Sequence, residues 1–388
     1  VTKIPRYNFL DLYRGLFVLL MIEGHTIRTV LEGTEMTTRF FDIHEMIHGV
    51  TGPGFLFGAG FAFAIATLRR WDFLRSLNVP FLRRTWRAML LILVGYALHL
   101  PYYSLSKLIN DSVPWQLDEF FAFGVLQCIG FTLLGLRIQL FVLKEETPFL
   151  ITTGTILFLT IFGSPLLWTP VINESLPRFI AQGLNGLSGS HYPLFPYSGY
   201  MLAGVLVSWL FIRQSAAGEE QSFMRRLALS GGGLILLSLI LSNFFMTPTI
   251  ARIPYASRPG IMAMYLGILC VLMSTLWYLE NVVISKEGSA PMKPAWLVLA
   301  GLESFFLYIT HLIVVYGWIF NPRINLRYFW ENQFSWFESF LAFVVVSIIL
   351  IVAAKFWRHL KREHPVMMLG LYWWMAITFM YYFITNPF

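Results

Sequence analysis

The chain has 388 residues, of which 57% are hydrophobic and only 13% charged, with a mean hydropathy of +0.64. A soluble domain carries about 25% charged residues, so the composition excludes an ordinary soluble enzyme and describes an integral membrane protein. The formal net charge of +7 calls for no nucleic acid, because its distribution along the chain accounts for it.

Runs of about 20 apolar residues mark membrane-spanning helices. In chain order they fall at 9–31, 49–68, 86–103, 119–136, 148–168, 193–212, 227–246, 260–280, 296–320, 338–356 and 367–384. These eleven runs are too apolar to alternate with a polar lumen, so an all-α, polytopic helical bundle is expected rather than a barrel. The first run resembles a signal peptide only at a glance. Asp11, Arg14, Glu23 and His25 interrupt it and no small-residue cleavage site follows, so it is read as a permanent helix. No low-complexity linker and no inverted repeat divides the chain, and residues 1–388 are read as one domain.

Lys and Arg set the orientation. With the N-terminus cytoplasmic, inner segments hold 19 of the 28, among them Lys3, Arg6, Arg69, Arg70, Arg75, Lys286 and Lys293. Outer segments hold 8, and Arg14 lies within the first span. The bias places the C-terminus outside, as an odd number of spans requires. It also puts His25, His44, His48, His99, His191 and His311 at outer helix ends or loops. With no targeting segment, a cytoplasmic (inner) membrane is the expected location.

The first helix carries the densest chemistry. An arginine in hydrocarbon costs about 2.5–3.5 kcal/mol on insertion scales, so ionisable residues there usually line an interior pathway or site. Eleven steps of 100° bring His25 to within about 20° of Arg14, about 16 Å further along one face. Arg28 falls about 40° from the same direction, whereas Glu23 points about 180° away, which argues against a His25–Glu23 dyad on an unbroken helix. Asp11 and Arg14, at i and i+3, can pair.

In the second run, Gly54, Gly58, Ala62 and Ala66 form a small-residue face suited to close helix packing, and Pro53 marks a break at its outer end. The stretch that follows, "RRWDFLRSLNVPFLRRTWR", holds six arginines. Positive-inside topology explains it. Arg83, Arg84 and Arg87 could also receive a cytosolic polyanion such as the phosphates of a nucleotide or coenzyme A. Further on, Pro193 and Pro196 free backbone carbonyls beside Tyr192 and Tyr197, and "GLESFFLYITHLIVVYG" carries Glu303, Tyr308 and His311. The two cysteines, Cys128 and Cys270, lie inside apolar runs and give no disulfide framework or zinc spacing. His44 and His48 are i, i+4 but show no third ligand, so no metal is expected.

The stretches "LDLYRGLFVLLMIEGHTIR", "GPGFLFGAGFAFA", "FLRRTWRAMLLILVGY", "HYPLFPYSGYMLAGV" and "LESFFLYITHL" stand in an order that resembles the heparan-α-glucosaminide N-acetyltransferase-like membrane proteins. These belong to a wider transmembrane acyltransferase superfamily with the acyltransferase 3 proteins. The resemblance runs from Leu10 to about Tyr316. It implies transfer of an acyl group, acetyl in the first place, from cytosolic acyl-CoA to an extracytoplasmic amine or hydroxyl, commonly of a sugar or glycan. It assigns His25 as catalytic base or acyl relay, and Arg14 with Arg83, Arg84 and Arg87 as donor-binding residues. Asp11, Arg28, Tyr192 and His311 are expected in support or on the acceptor side. The expected partners are the lipid bilayer, acyl-CoA and the acceptor, with a homodimer left open. Two departures stand out: Gly24 precedes the histidine where relatives often carry an acid, and the outer loop after the first helix is short. A transporter or flippase for a lipid-linked sugar or small anion is the alternative reading.

Overall fold

The computed structural model describes residues 7–68, 71, 78–244, 254–284, 295–318 and 321–386. The basic residues Lys3, Arg6, Arg69, Arg70, Arg75, Arg252, Lys286 and Lys293 lie outside the described residues. The principal helices, in chain order, are α1 (Asn8–Val30), α2 (Arg39–His48), α3 (Thr51–Leu68), α4 (Val79–Leu98), α5 (Val125–Val142), α6 (Glu146–Leu167) and α7 (Leu194–Ala216). They continue with α8 (Glu220–Phe244), α9 (Pro259–Tyr278), α10 (Ala295–Leu302), α11 (Ser304–Tyr316), α12 (Trp336–Glu363) and α13 (Pro365–Thr385).

Each of the eleven apolar runs coincides with helix. Among the described residues, eight helical segments are long and apolar enough to cross a bilayer, or nine if the pair α10–α11, bent by 86°, counts as one span. The other two runs are α1 and α4, helices of 23 and 20 residues whose apolar stretches charged side chains interrupt. Large apolar side chains face outward on α12 and α13, as at Phe337, Val352, Trp373 and Ile377. Such a surface suits lipid and not water. The chain is a multi-pass, all-α membrane protein.

Three runs differ in detail from the sequence reading. The third, read as 86–103, is Val79–Leu98: the Asn78 side chain accepts from Phe81 N–H at 2.8 Å and Pro80 sits in the first turn, so the helix starts before its arginines. The fourth, read as 119–136, is Val125–Val142, because residues 114–121 form a separate short helix. The ninth is broken at Glu303, the only such bent pair among the described residues.

Two compact units make up the structure, one spanning Gly52–Tyr278 and the other formed by Pro5–Thr51 with Leu279–Asn386. In the first, α3 meets α7 through Gly60 and Gly204: a Cβ on Gly60 would stand 1.9 Å from the Met201 carbonyl oxygen, and one on Gly204 2.2 Å from that of Phe57. Of the expected stripe, Gly54 and Gly58 are buried and Ala62 and Ala66 half-buried. Gly231 of α8 and Gly267 of α9 repeat the reciprocal contact. Backbones in such contact gain dispersion and weak Cα–H···O bonds, which drive helix association where lipid removes the hydrophobic effect.

In the split unit the same device joins α1 to α10. A Cβ on Gly15 would lie 2.1 Å from the Leu297 carbonyl oxygen, and one on Gly301 1.9 Å from that of Asp11. The far end of α1 is held by the loop before α12. Asn332 N–H donates to Thr29 O at 3.1 Å, and the amides of Gln333 and Phe334 donate to Val30 O at 2.9 and 2.8 Å. These bonds satisfy carbonyls that a helix end leaves without partners.

Gly15→Val should lower the unfolding midpoint of the detergent-purified protein, since overpacking costs about 1–3 kcal/mol. Gly33→Ala, at a position with nothing within 4 Å, should leave the midpoint unchanged in the same melt.

Candidate functional site

Helix α1 presents two chemically distinct faces within the split unit. On one face, Arg14 Nη2 donates to Ser304 Oγ at 2.7 Å, and His25 Nδ1 lies 2.8 Å from the Tyr316 hydroxyl. Ser304 opens α11 and Tyr316 closes it. The two polar residues of α1 therefore face the two ends of one neighbouring helix, as the eleven-step arithmetic requires. The His311 ring centroid stands 5.1 Å from that of His25. His311 is fully buried: its Nδ1 meets the Leu307 carbonyl at 3.0 Å, while its Nε2 has no hydrogen-bond partner. His25 itself is half-buried, and Tyr316 is 38% exposed, so this end of the face is open to a reactant.

The opposite face carries Glu23, which turns to α2. His44 Nε2 lies 3.2 Å from Glu23 Oε1, and His48 Nε2 meets Glu23 Oε2. A third side chain with a ligand-type atom, absent near the i, i+4 histidines in the sequence, thus comes from a residue 21 positions before His44, brought there because α2 folds back on α1. Gly24 makes the fit: a Cβ there would stand 2.6 Å from His48 Nδ1. Arg28 Nε donates to Glu45 Oε1 at 2.6 Å, so it braces α2.

The break between α10 and α11 lies beside Arg14. Glu303 is buried at its corner and pairs with Lys361 of α12. Asp11 is buried too, its carbonyl packed on Gly301. Irregular backbone at membrane depth is tolerated where protein buries it, and here Ser304 at the corner is the group that Arg14 reads.

The Gly52–Tyr278 unit holds the other expected residues. Arg83 and Arg87 are exposed, and of the three arginines on α4 only Arg84 turns inward, its Nη1 donating to Ala66 O at 3.2 Å in the last turn of α3. Arg137 of α5 is 5% exposed, lies over the Phe81 ring at 5.4 Å and keeps an Nη1 with no hydrogen-bond partner. Arg84 is close enough for the two charges to repel. A buried guanidinium with an open N–H beside a second arginine is suited to an anion. Sequence reading placed Arg137 on the inner side without giving it a role. The signal was an arginine inside the apolar run "LLGLRIQL", the same feature that singled out Arg14. Tyr192 is fixed by its N–H to Phe123 O at 2.8 Å and packs on Gly52, with its ring 5.1 Å from that of Tyr197. The Phe195 carbonyl, next to Pro196, accepts from Trp168 Nε1 at 2.8 Å.

Compared with known families, residues 6–242 match the model described as heparan-alpha-glucosaminide N-acetyltransferase, catalytic. The chain belongs to this family. No curated protein matches it. The heparan-alpha-glucosaminide N-acetyltransferase match covers α1 to most of α8 and takes in Arg14, Glu23, His25, His44, His48, Arg84, Arg137 and Tyr192. The family is one of acetyltransferases, which makes acetyl transfer the activity class of the chain. Ser304, His311, Tyr316 and Lys361, which complete the α1 face and the corner, lie beyond the matched residues.

Lys361→Met should destabilise the protein by about 1–3 kcal/mol, because it strands the buried Glu303 carboxylate. Adding Glu303→Gln should recover most of that loss. Unfolding of the single and double variants in detergent gives the coupling.

Proposed function

We propose that the chain is a transmembrane acetyltransferase that moves an acetyl group from cytosolic acetyl-CoA to an extracytoplasmic amine or hydroxyl, on a sugar or glycan, across a cytoplasmic membrane. The observation that carries this reading is the His25–Tyr316 pair on the face of α1 that also bears Arg14, in a chain of an acetyltransferase family.

A neutral imidazole holds one N–H and one lone pair, and the partner of one nitrogen decides which is which. With Nδ1–H donating to the Tyr316 oxygen, the lone pair sits on Nε2. Nε2 then takes the proton of the acceptor amine or hydroxyl as the acceptor's lone pair attacks the thioester carbonyl carbon. The C–S bond breaks, coenzyme A departs as a thiolate, and the imidazolium returns the proton to it. Tyr316 is the positioning residue for this tautomer. Arg14 stabilises the thioester arm or the diphosphate of the donor, and the roughly 16 Å along α1 to His25 suits the reach of a pantetheine arm. Within their own unit, Arg84 and Arg137 offer N–H groups suited to phosphates, and the exposed Arg83 and Arg87 raise the local concentration of a polyanion. Asp11, Arg28, Tyr192 and His311 support the donor and acceptor sides, and positive-inside bias gives the direction, donor inside and acceptor outside.

Acetyl transfer to a glucosaminide is measured by release of the CoA thiol from detergent-purified protein. His25→Ala should cut kcat by about 100- to 10,000-fold, the usual worth of a general base, while acetyl-CoA still raises the melting temperature. Tyr316→Phe should cost about tenfold or less, in keeping with one hydrogen bond. Full turnover by His25→Ala would overturn the mechanism. Arg84→Gln should raise KM for acetyl-CoA with little change in kcat.

A further inference from the structure

We propose that Glu23, His44 and His48 bind a divalent transition-metal ion of the zinc class. The three residues each offer one ligand atom, and these atoms lie within 4.8 Å of one another. Ligands around a tetrahedral zinc at about 2.1 Å stand about 3.4 Å apart. His44 Nε2 and Glu23 Oε1, at 3.2 Å, already have that separation. Two imidazoles and a carboxylate are a donor set that zinc takes in sites with a fourth position open to water or a reactant.

The hydrogen bonding around His44 argues for a cation. Its Nε2 faces Glu23, and its Nδ1, buried, lies 3.4 Å from Glu45 Oε1. A neutral imidazole has one N–H, so without a cation one nitrogen turns a lone pair to a carboxylate. A second proton on His44 would meet both carboxylates; a dication would meet them as well, and it alone uses the convergence of all three ligand atoms, with the two rings at 4.2 Å between centroids. One dication on both Nε2 atoms removes the conflict and leaves both rings neutral.

The surroundings match a metal site in a second respect. A ligating histidine usually donates its other N–H to a carboxylate that is itself held. Glu45 stands in that place and is fixed by Arg28 at 2.6 Å. Phe41 and Trp336 wall the His44 ring, at 5.8 and 5.5 Å between centroids, and the Glu23 and His48 side chains are 19% and 4% exposed. The inference does not rest on the role given to His25, which lies on the other face of α1.

Untagged, full-length protein in detergent, stripped with a chelator and desalted, is titrated with ZnCl2, and bound zinc is counted by mass spectrometry after a second desalting. The expected result is one zinc per chain, a higher melting temperature with zinc, and with Co2+ the visible absorption of a four- or five-coordinate ion. Glu23→Gln and His48→Ala should abolish stoichiometric binding. Glu45→Gln should weaken it by about 10- to 100-fold, and His191→Ala and His311→Ala should leave it intact. Because a ligand variant could lose zinc by misfolding, each is accepted only if it elutes as the parent does, and the parent's own stoichiometry and cobalt spectrum stand apart from any variant. Absence of stoichiometric zinc in the parent, or its retention in Glu23→Gln and His48→Ala, would overturn the proposal.

Discussion

Two glycines without side chains fix the geometry of the α1 face. Gly15 and Gly301 let the backbones of α1 and α10 touch, and a helix so close cannot slide or roll without a clash. The contact sets Arg14 beside the corner at Glu303 and Ser304, because both lie within a turn of it on their own helices. From there α11 runs beside α1 until Tyr316 reaches His25. In lipid this is the economical way to hold a helix that carries charge: packing at the glycines supplies the attraction, and each polar group then meets a partner that bilayer would not provide.

Helix α1 acts as a partition between two chemistries. One side carries Arg14 and His25 along α11, the face proposed for acetyl transfer. The other carries Glu23 with His44 and His48. The two sets are separated by the thickness of one helix, and Gly24 sits between them in sequence. Any side chain in the place of Gly24 would collide with His48, so the close approach of α2 requires a glycine here.

The helical class and every apolar run were legible in the sequence, because hydrocarbon length and backbone satisfaction leave few options. So was the shared face of Arg14 and His25, since eleven steps of a helix close almost on themselves, and so was the aversion of Glu23 from His25. What Glu23 meets was not legible. Its partners lie on a helix that returns after a turn, and no local period records a return. The corner at Glu303 was hidden for a related reason: the run from 296 to 320 is mostly apolar, and the residues that meet the corner, Asp11 beside Gly301 and Lys361 beside Glu303, are distant in sequence. On α4 the charge of three arginines was plain, but which one turns inward was settled by its i−3 and i+4 neighbours Phe81 and Ala88, both buried.

The loop that closes α1 is hydrogen-bonded to it through main chain. Amides of residues 332–334 answer the carbonyls of Thr29 and Val30, and Glu32 N–H answers Phe334 O. Amides are common to all residues but proline, so apart from Asn332, whose φ of 57° favours Asn or Gly, side chains in this loop can drift while its length cannot. A one-residue insertion there would shift the clamp four residues from His25. The reach of the histidine is therefore written in how many residues the loop has, and in one asparagine that lets it turn.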